Sequence, residues 1–222
     1  MIIIRISPTG VAARQLNQFL PYLETKFGQI WKRNSAKYGN EIRPNLEIRL
    51  FCRYFAALKK IFVIEDMPAW NPNLRSKTAI RTSDNHYFVD PSIAIAALGL
   101  GPKDLINDLN TFGLLFETLC VRDLRVFADA LDGKVYHYRD KNGLECDAVV
   151  HLRNGSYGLI EIKLGGDVLI NEGARTLNDL ASKIDTTRMK APSFLMVLTA
   201  VGKFAYRRKD GVYVIPIGCL KD

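Results

Sequence analysis

Asp147, Glu161 and Lys163 fall within one short stretch, LECDAVVHLRNGSYGLIEIKLGG, residues 144–166. Asp147 lies on an apolar run, and an Asn154-Gly155 turn separates it from a second run carrying Glu161 and Lys163. Strand side chains alternate faces, so Glu161 and Lys163 share one face while Ile160, Ile162 and Leu164 take the other. Two carboxylates on neighbouring strands with a lysine beside them can hold a magnesium ion against a phosphodiester. Magnesium takes hard oxygen ligands, keeps several waters and needs only one or two carboxylates. Such a metal activates water and a phosphoryl group, and a nearby ammonium offsets the charge of the transition state. In this reading Asp147 and Glu161 are the metal ligands, with the Ile162 main-chain carbonyl as a further donor. Lys163 orients the attacking water or stabilises developing charge, and manganese can stand in for magnesium. The bland alternative is a solvated Glu161–Lys163 ion pair, worth ~0–1 kcal/mol. Against it, residues 159–164 read as a central strand, where unpaired buried charge is costly.

The element preceding these strands bears on the choice. Residues 112–131, FGLLFETLCVRDLRVFADAL, run at helical period and stop at Asp132-Gly133. Leu114, Val121, Leu124, Ala128 and Leu131 form the apolar stripe, Glu117 falls inside it, and Arg122, Arg125 and Asp129 take the opposite face. A core-facing Glu is rarely buried unless paired. It is either satisfied by hydrogen bonds or an arginine, or it is a third carboxylate aimed at the metal site.

Further along, strands are expected at 134–139, 144–152 and 157–164, separated by Asn142-Gly143 and Asn154-Gly155, both strong hairpin signals. A polar helix over about 171–190 carries Leu177, Leu180, Ala181 and Ile184 on one side, and strands at 194–199 and 212–217 close the chain. The predicted class is α/β (α+β), with an αβββαβ core bearing acids on its second and third strands.

Glu117, Asp147 and Glu161-Ile162-Lys163 on this plan resemble the PD-(D/E)XK nuclease superfamily, which has the restriction-endonuclease-like fold. More closely, the chain from about Tyr54 onward is similar to the uncharacterised C-terminal domain of bacterial and archaeal AAA-class predicted ATPases. The segments carrying that likeness are VIEDMPAWNPNLRSK, YFVDPSIAIAALGL, TFGLLFETLCVRDLRVFADAL, VYHYRDKNGLECDAVV, YGLIEIKLGG and DGVYVIPIGCL. The resemblance implies that Glu117 is the acidic helix position, Asp147 and Glu161 metal ligands, and Lys163 the catalytic lysine. Cys146 stands where the superfamily motif has proline, a frequent replacement. No G-x-x-x-x-G-K-[ST] loop occurs, so this chain is not the motor itself: it is a stand-alone relative, a remnant, or a piece whose AAA-class ATPase is encoded elsewhere and acts in trans. Nucleases of this fold often work as homodimers, an arrangement the resemblance allows.

The N-terminal part is expected to be a separate module, residues 1–95, ahead of a nuclease-like domain at 96–222. Residues 11–33 place Leu16, Leu20, Leu23, Phe27 and Ile30 at helical spacing, and 46–59 form a second such pattern. Strands at 61–64 and 87–89, joined by a loop rich in Pro, Asn, Arg and Lys, complete a winged-helix-like outline. Arg75, Lys77 and Arg81 at the loop tip are candidate phosphate contacts, the alternative being a solvated loop. Asp90-Pro91 opens a helix over 92–98, since proline suits a first helical turn.

A net charge of +8 favours an anionic partner, and DNA is the expected one, although only Arg207-Arg208-Lys209 forms a tight basic cluster. Cys52, Cys120, Cys146 and Cys219 lack metal or disulfide spacing and read as buried thiols of a reducing cytoplasm. His86, His137 and His151 show no ligand spacing. The start MIIIRISPTG is too short for a signal peptide, and no apolar run approaches a membrane span. Three functions are compatible with this: a Mg²⁺-dependent DNA endonuclease or resolvase-like hydrolase, a non-catalytic DNA-binding relative, or a regulatory module partnering an AAA-class ATPase.

Overall fold

The computed structural model describes residues 55–72, 74 and 83–220. The helix expected at 11–33, residues 46–54 of the one expected at 46–59, and Arg75, Lys77 and Arg81 lie outside the described residues; residues 55–60 are helical. Two units can be distinguished, one from residues up to 65 with 86–114, the other from 66–85 with 115 onward. Strands β1 (Ile64–Met67) and β2 (Asn85–Phe88) pair as a two-stranded sheet. They replace the strands expected at 61–64 and 87–89. Ile61 and Phe62 are exposed, and Phe62 takes a positive φ of 56°, so the chain turns there before the strand begins.

In the first unit, helix α1 (Pro91–Leu98) starts where Asp90-Pro91 predicts. The Asp90 carboxylate accepts the Ser92 amide at 2.8 Å, and Pro91 occupies a position whose missing N–H costs nothing. A short helix α2 (Pro102–Asn107) follows. Helix α3 (Leu109–Ala130) begins earlier than its apolar pattern suggests. Asp108 is the reason: its carboxylate accepts the amides of Asn110 (3.2 Å) and Thr111 (3.1 Å) and the Thr111 hydroxyl (2.6 Å), capping the first turn. The hydroxyl first, then the Thr111 amide, hold the Asp108 carboxyl below its usual range.

The second unit is a six-stranded mixed sheet in the order β3-β4-β5-β6-β8-β7, with α3 leading in and α4 between β5 and β6. The strands are β3 (Gly133–Arg139), β4 (Glu145–Leu152), β5 (Tyr157–Lys163), β6 (Phe194–Thr199), β7 (Tyr206–Arg207) and β8 (Tyr213–Pro216). Helix α4 spans Asp167–Lys183. The order α3-β3-β4-β5-α4-β6 is the predicted αβββαβ plan, and the class is α/β as expected. β3, β4 and β5 form an antiparallel meander, while β6 lies parallel to β5 and β8 parallel to β6. Both Asn-Gly steps make the hairpin turns, with Gly143 and Gly155 at φ of 85° and 81°, a region closed to most side chains.

Several expectations need correction. Leu131 is 64% exposed, so the buried face of α3 ends at Ala128; it is built from Leu115, Phe116, Cys120, Val121, Leu124 and Ala128. Helix α4 stops at Lys183 rather than near 190. Ile184 is extended, and the Asp185 carboxylate accepts the Thr187 amide (3.1 Å) and hydroxyl (2.6 Å), a local turn that competes with helix. Cys219 is exposed and not buried; Cys120 and Cys146 are buried free thiols as read from the sequence. β7, too short to leave a periodic signal, went unpredicted.

The core beneath α4 gathers Val149, Tyr157, Leu159, Ile170, Ala174, Leu177, Leu180, Ile184, Val197 and Val214. Trp70, within what the sequence suggests is a solvated loop, joins it. Its amide donates to the His137 carbonyl at 2.6 Å and its ring centroid lies 5.0 Å from that of Tyr157. The Tyr157 hydroxyl donates to the Lys190 carbonyl at 2.6 Å, so the chain beyond α4 is tied to the same centre.

Candidate active site

β5 is an interior strand, and every residue from Tyr157 to Ile162 is buried. Glu161 is 3% exposed, and Lys163 at the strand end is half-buried. The face they share lies under α4. A Cβ built on Gly173 would meet the Glu161 Cβ at 3.2 Å and the Lys163 Cε at 3.5 Å, so the helix backbone rests directly on both stems.

Asp147 arrives by a less regular route. Pairing of β3 with β4 slips between Tyr136 and Tyr138, which places an extra residue in β4 between Cys146 and Val149. Pairing of β4 with β5 runs only as far as Ala148↔Ile160. Past that point the Asp147 carboxylate takes the place of a ladder carbonyl: its Oδ2 accepts the Ile162 amide at 2.8 Å. The Cys146 thiol, where the superfamily motif has proline, lies 3.3 Å from the Ala148 carbonyl and 3.4 Å from the Ile160 carbonyl and donates to them.

Lys163 joins the two acids. Its Nζ lies 2.7 Å from Glu161 Oε2 and 3.5 Å from Asp147 Oδ2. Burial above all, then the neighbouring Asp147 charge, raise the Glu161 carboxyl far out of the carboxylate range, while Lys163 pulls it back down. For Lys163 burial works against the charge, but Asp147, Glu161 and, more distantly, Glu117 outweigh it and hold the ammonium above its ordinary range. Burial, and then Glu161 and Asp147, push the Cys146 thiol well up, so it stays protonated. At neutral pH Lys163 is thus a fixed positive charge and not a proton acceptor.

The sequence-predicted residues therefore divide. Asp147, Glu161 and Lys163 are brought into direct contact. Glu117 is half-buried on α3 and its charge is felt at both Lys163 and the Cys120 thiol. Among the described residues no three His, Cys, Asp or Glu side chains stand close enough to hold a metal ion. Asp147 and Glu161 supply two hard oxygen donors, which meets what magnesium asks of a protein when waters complete its shell. With both ionised, the two carboxylates would outnumber the one ammonium facing them, and a divalent cation would offset the excess; burial first, and Asp147 second, raise the Glu161 carboxyl. Gly173 is the positioning residue that sequence reasoning missed; a glycine within an amphipathic helical pattern is the signal that pointed to a close packing contact.

Comparison with known proteins adds the following. Residues 112–220 match a family model described as a domain of unknown function, DUF4143. Residues 8–104 match a second domain of unknown function, DUF8612. The DUF4143 match takes in α3 from Phe112, all six strands of the large sheet and every residue of the candidate site. No curated protein matches the chain. One solved structure with some similarity is a refined half-complex from a tetradecameric assembly of Thermococcus gammatolerans McrB AAA+ hexamers with bound McrC. There the identity is 11% and the TM-score 0.31, over 82% of this chain and 64% of that chain. The chain thus spans less than two thirds of the matched chain's length, and a likeness this slight says nothing about fold or partners. No helix among the described residues is long and apolar enough to cross a membrane.

Proposed function

We propose that this protein is a magnesium-dependent DNA phosphodiester hydrolase, endonuclease- or resolvase-like, of the PD-(D/E)XK kind. The observation that carries the reading is the contact of Lys163 with both Glu161 and Asp147, at 2.7 and 3.5 Å, on an αβββαβ core. Asp147 and Glu161 would hold the metal, and manganese would substitute for it. Bound there, the ion supplies Lewis-acid activation of the phosphodiester. The chain's own residues do the rest. The Ile162 amide fixes the Asp147 carboxylate, the α4 backbone at Gly173 confines Glu161, and Lys163 keeps its proton on Nζ as a charge facing the developing phosphorane. Glu117 adds to the field at Lys163. The net charge of +8 and a pI near 9.3 support DNA as substrate.

Within this reading residues 96–222 are the hydrolase and residues 1–95 a winged-helix-like module whose Arg75, Lys77 and Arg81 contact phosphates. The test is cleavage of single-stranded, duplex and branched DNA with magnesium or manganese, run beside Lys163→Ala. Cleavage lost in that variant, with its fold retained by circular dichroism, is the expected result. No cleavage by the wild type on any substrate, and no divalent-ion binding by calorimetry, would sink the proposal.

One observation favours a second reading, a non-catalytic DNA-binding or interaction module that partners an AAA-class ATPase. Lys163 lies within ion-pair distance of both carboxylates, and among the described residues no three His, Cys, Asp or Glu side chains stand close enough to hold a metal ion. Salt-sensitive DNA binding without metal binding is the outcome that selects it.

A further inference from the structure

We infer that the β6–β7 loop and the β7–β8 hairpin form a platform for single-stranded DNA that leads into the Asp147–Glu161–Lys163 site. This rests on the hydrolase reading for its substrate but can be tested apart from it. β7 is the edge strand of the large sheet, and every residue from Val201 to Arg207 is exposed. Three aromatic rings stand in solvent here: Phe204 at 67% exposure, Tyr206 at 41% and Tyr213 at 38%. Phe204 and Tyr206 lie 6.1 Å apart, centroid to centroid. Arg207 pairs with Tyr213, its guanidinium 5.4 Å from that ring, and alternation puts both on the sheet face opposite Tyr206. Lys203 and Lys209 flank them, both exposed.

The fourth cation, Arg208, has a different task. It binds Asp210 at 3.0 Å and the Asn171 side chain of α4 at 2.7 Å, so it anchors the hairpin to the helix that covers the candidate site. Arg207 is engaged too, its Nε donating to the Gly211 carbonyl at 3.4 Å. That leaves Lys203 and Lys209 as the exposed cations flanking Phe204 and Tyr206 in the chain. Cations on an edge strand also deter edge-to-edge aggregation. That purpose does not call for a phenylalanine two-thirds exposed next to them. Aromatic rings interleaved with cations match a strand whose bases are unstacked and whose phosphates run alongside, since every base offers a π-face and no duplex does.

The patch is continuous with the site. Lys163 accepts the Ala200 amide through its carbonyl at 3.3 Å, and the Val201 side chain closes on Gly165 of the β5–α4 loop. Across the sheet the register runs Glu161↔Val197↔Val214↔Tyr206, so Tyr206 is level with Glu161. Three strand spacings separate them, about 14 Å.

The test is fluorescence anisotropy of a labelled oligothymidylate with the full chain in EDTA, comparing wild type, Phe204→Ser with Tyr206→Ser, and Lys203→Ser with Lys209→Ser. Salt-dependent binding by the wild type is expected, weakened about ten-fold or more by loss of the rings. Loss of the lysines should flatten the salt dependence by ~0.7 per phosphate contact. All four targets being exposed, melting temperatures should stay together. Binding that none of these variants weakens, preference for duplex over oligothymidylate, or no binding at all overturns the platform. So does self-association by sedimentation that disappears in the ring variant while DNA is ignored. A wild type that binds through these residues but never cleaves with magnesium leaves the platform standing and removes the hydrolase; cleavage with unaltered binding in the ring variant does the reverse.

Discussion

Gly173 lies against Glu161 so closely that a Cβ on the glycine would come within 3.2 Å of the glutamate's own Cβ. Helix α4 can rest on the acidic face of β5 only because that position has no side chain. Gly173→Ala should therefore lift the helix from Glu161 and Lys163. The cost of overpacking is about 1–3 kcal/mol, set against the helix propensity that alanine restores. Chemical denaturation reads the stability, and calorimetric titration with manganese reads the site. A variant as stable as the wild type that binds manganese equally would show that this contact positions nothing.

Protonation of Glu161 gives the site a pH dependence whose sign is fixed by burial. Its carboxyl is raised in the folded state, first by burial and then by Asp147. The stabilisation from its bound proton is complete below the unfolded value of 4.5 and is lost as pH rises through a folded value of about 8. Lys163, raised as well, keeps its contribution across that window and loses it only above 10.5. Glu161→Gln removes the titrating group and keeps its shape. Between about pH 5 and pH 9 the wild type should lose thermal stability relative to this variant, at about 2–4 °C for each kcal/mol. Parallel melting profiles for the two proteins would contradict the assignment.

Metal binding follows the same proton. Since magnesium needs the Glu161 carboxylate ionised, its affinity should rise with pH across the neutral range, with proton release on binding. Calorimetry in buffers of different ionisation enthalpy measures that release, and a pH-independent affinity would count against Glu161 as a ligand.

Gly158 and Phe194 make a second contact that tolerates no Cβ. One built on Gly158 would penetrate the Phe194 ring, with atoms closer than 2.5 Å. Gly158→Ala should destabilise the β5–β6 pair by about 1–3 kcal/mol. Adding Phe194→Leu should recover part of that loss, and strict additivity of the two substitutions in denaturant unfolding would argue against the contact.

The Asp90 cap provides a test in the other unit. Asp90→Ala removes the acceptor of the Ser92 amide and should cost the helix about 0.5–2 kcal/mol. Hydrogen exchange should speed up at the first amides of α1, and unchanged protection there would exclude the cap.

What the sequence by itself determined about this protein is what short-range periodicity can encode. Alternation placed Glu161 and Lys163 on one face of β5, the two Asn-Gly steps set both hairpins, and the order of patterns predicted the αβββαβ core. The sequence also singled out Asp147, since it precedes the second of those turns on an apolar strand. The tertiary structure alone decided how Asp147 meets its partners. The slip between β3 and β4, and the end of β4–β5 pairing at Ala148↔Ile160, turn its carboxylate toward the Ile162 amide. Trp70 entering the core, Gly173 resting on Glu161 and Tyr206 level with it across three strands are of the same kind. A side chain's face follows from its neighbours in sequence, but the register between strands and the closeness of a helix depend on residues far along the chain, and those become partners only once the sheet has formed.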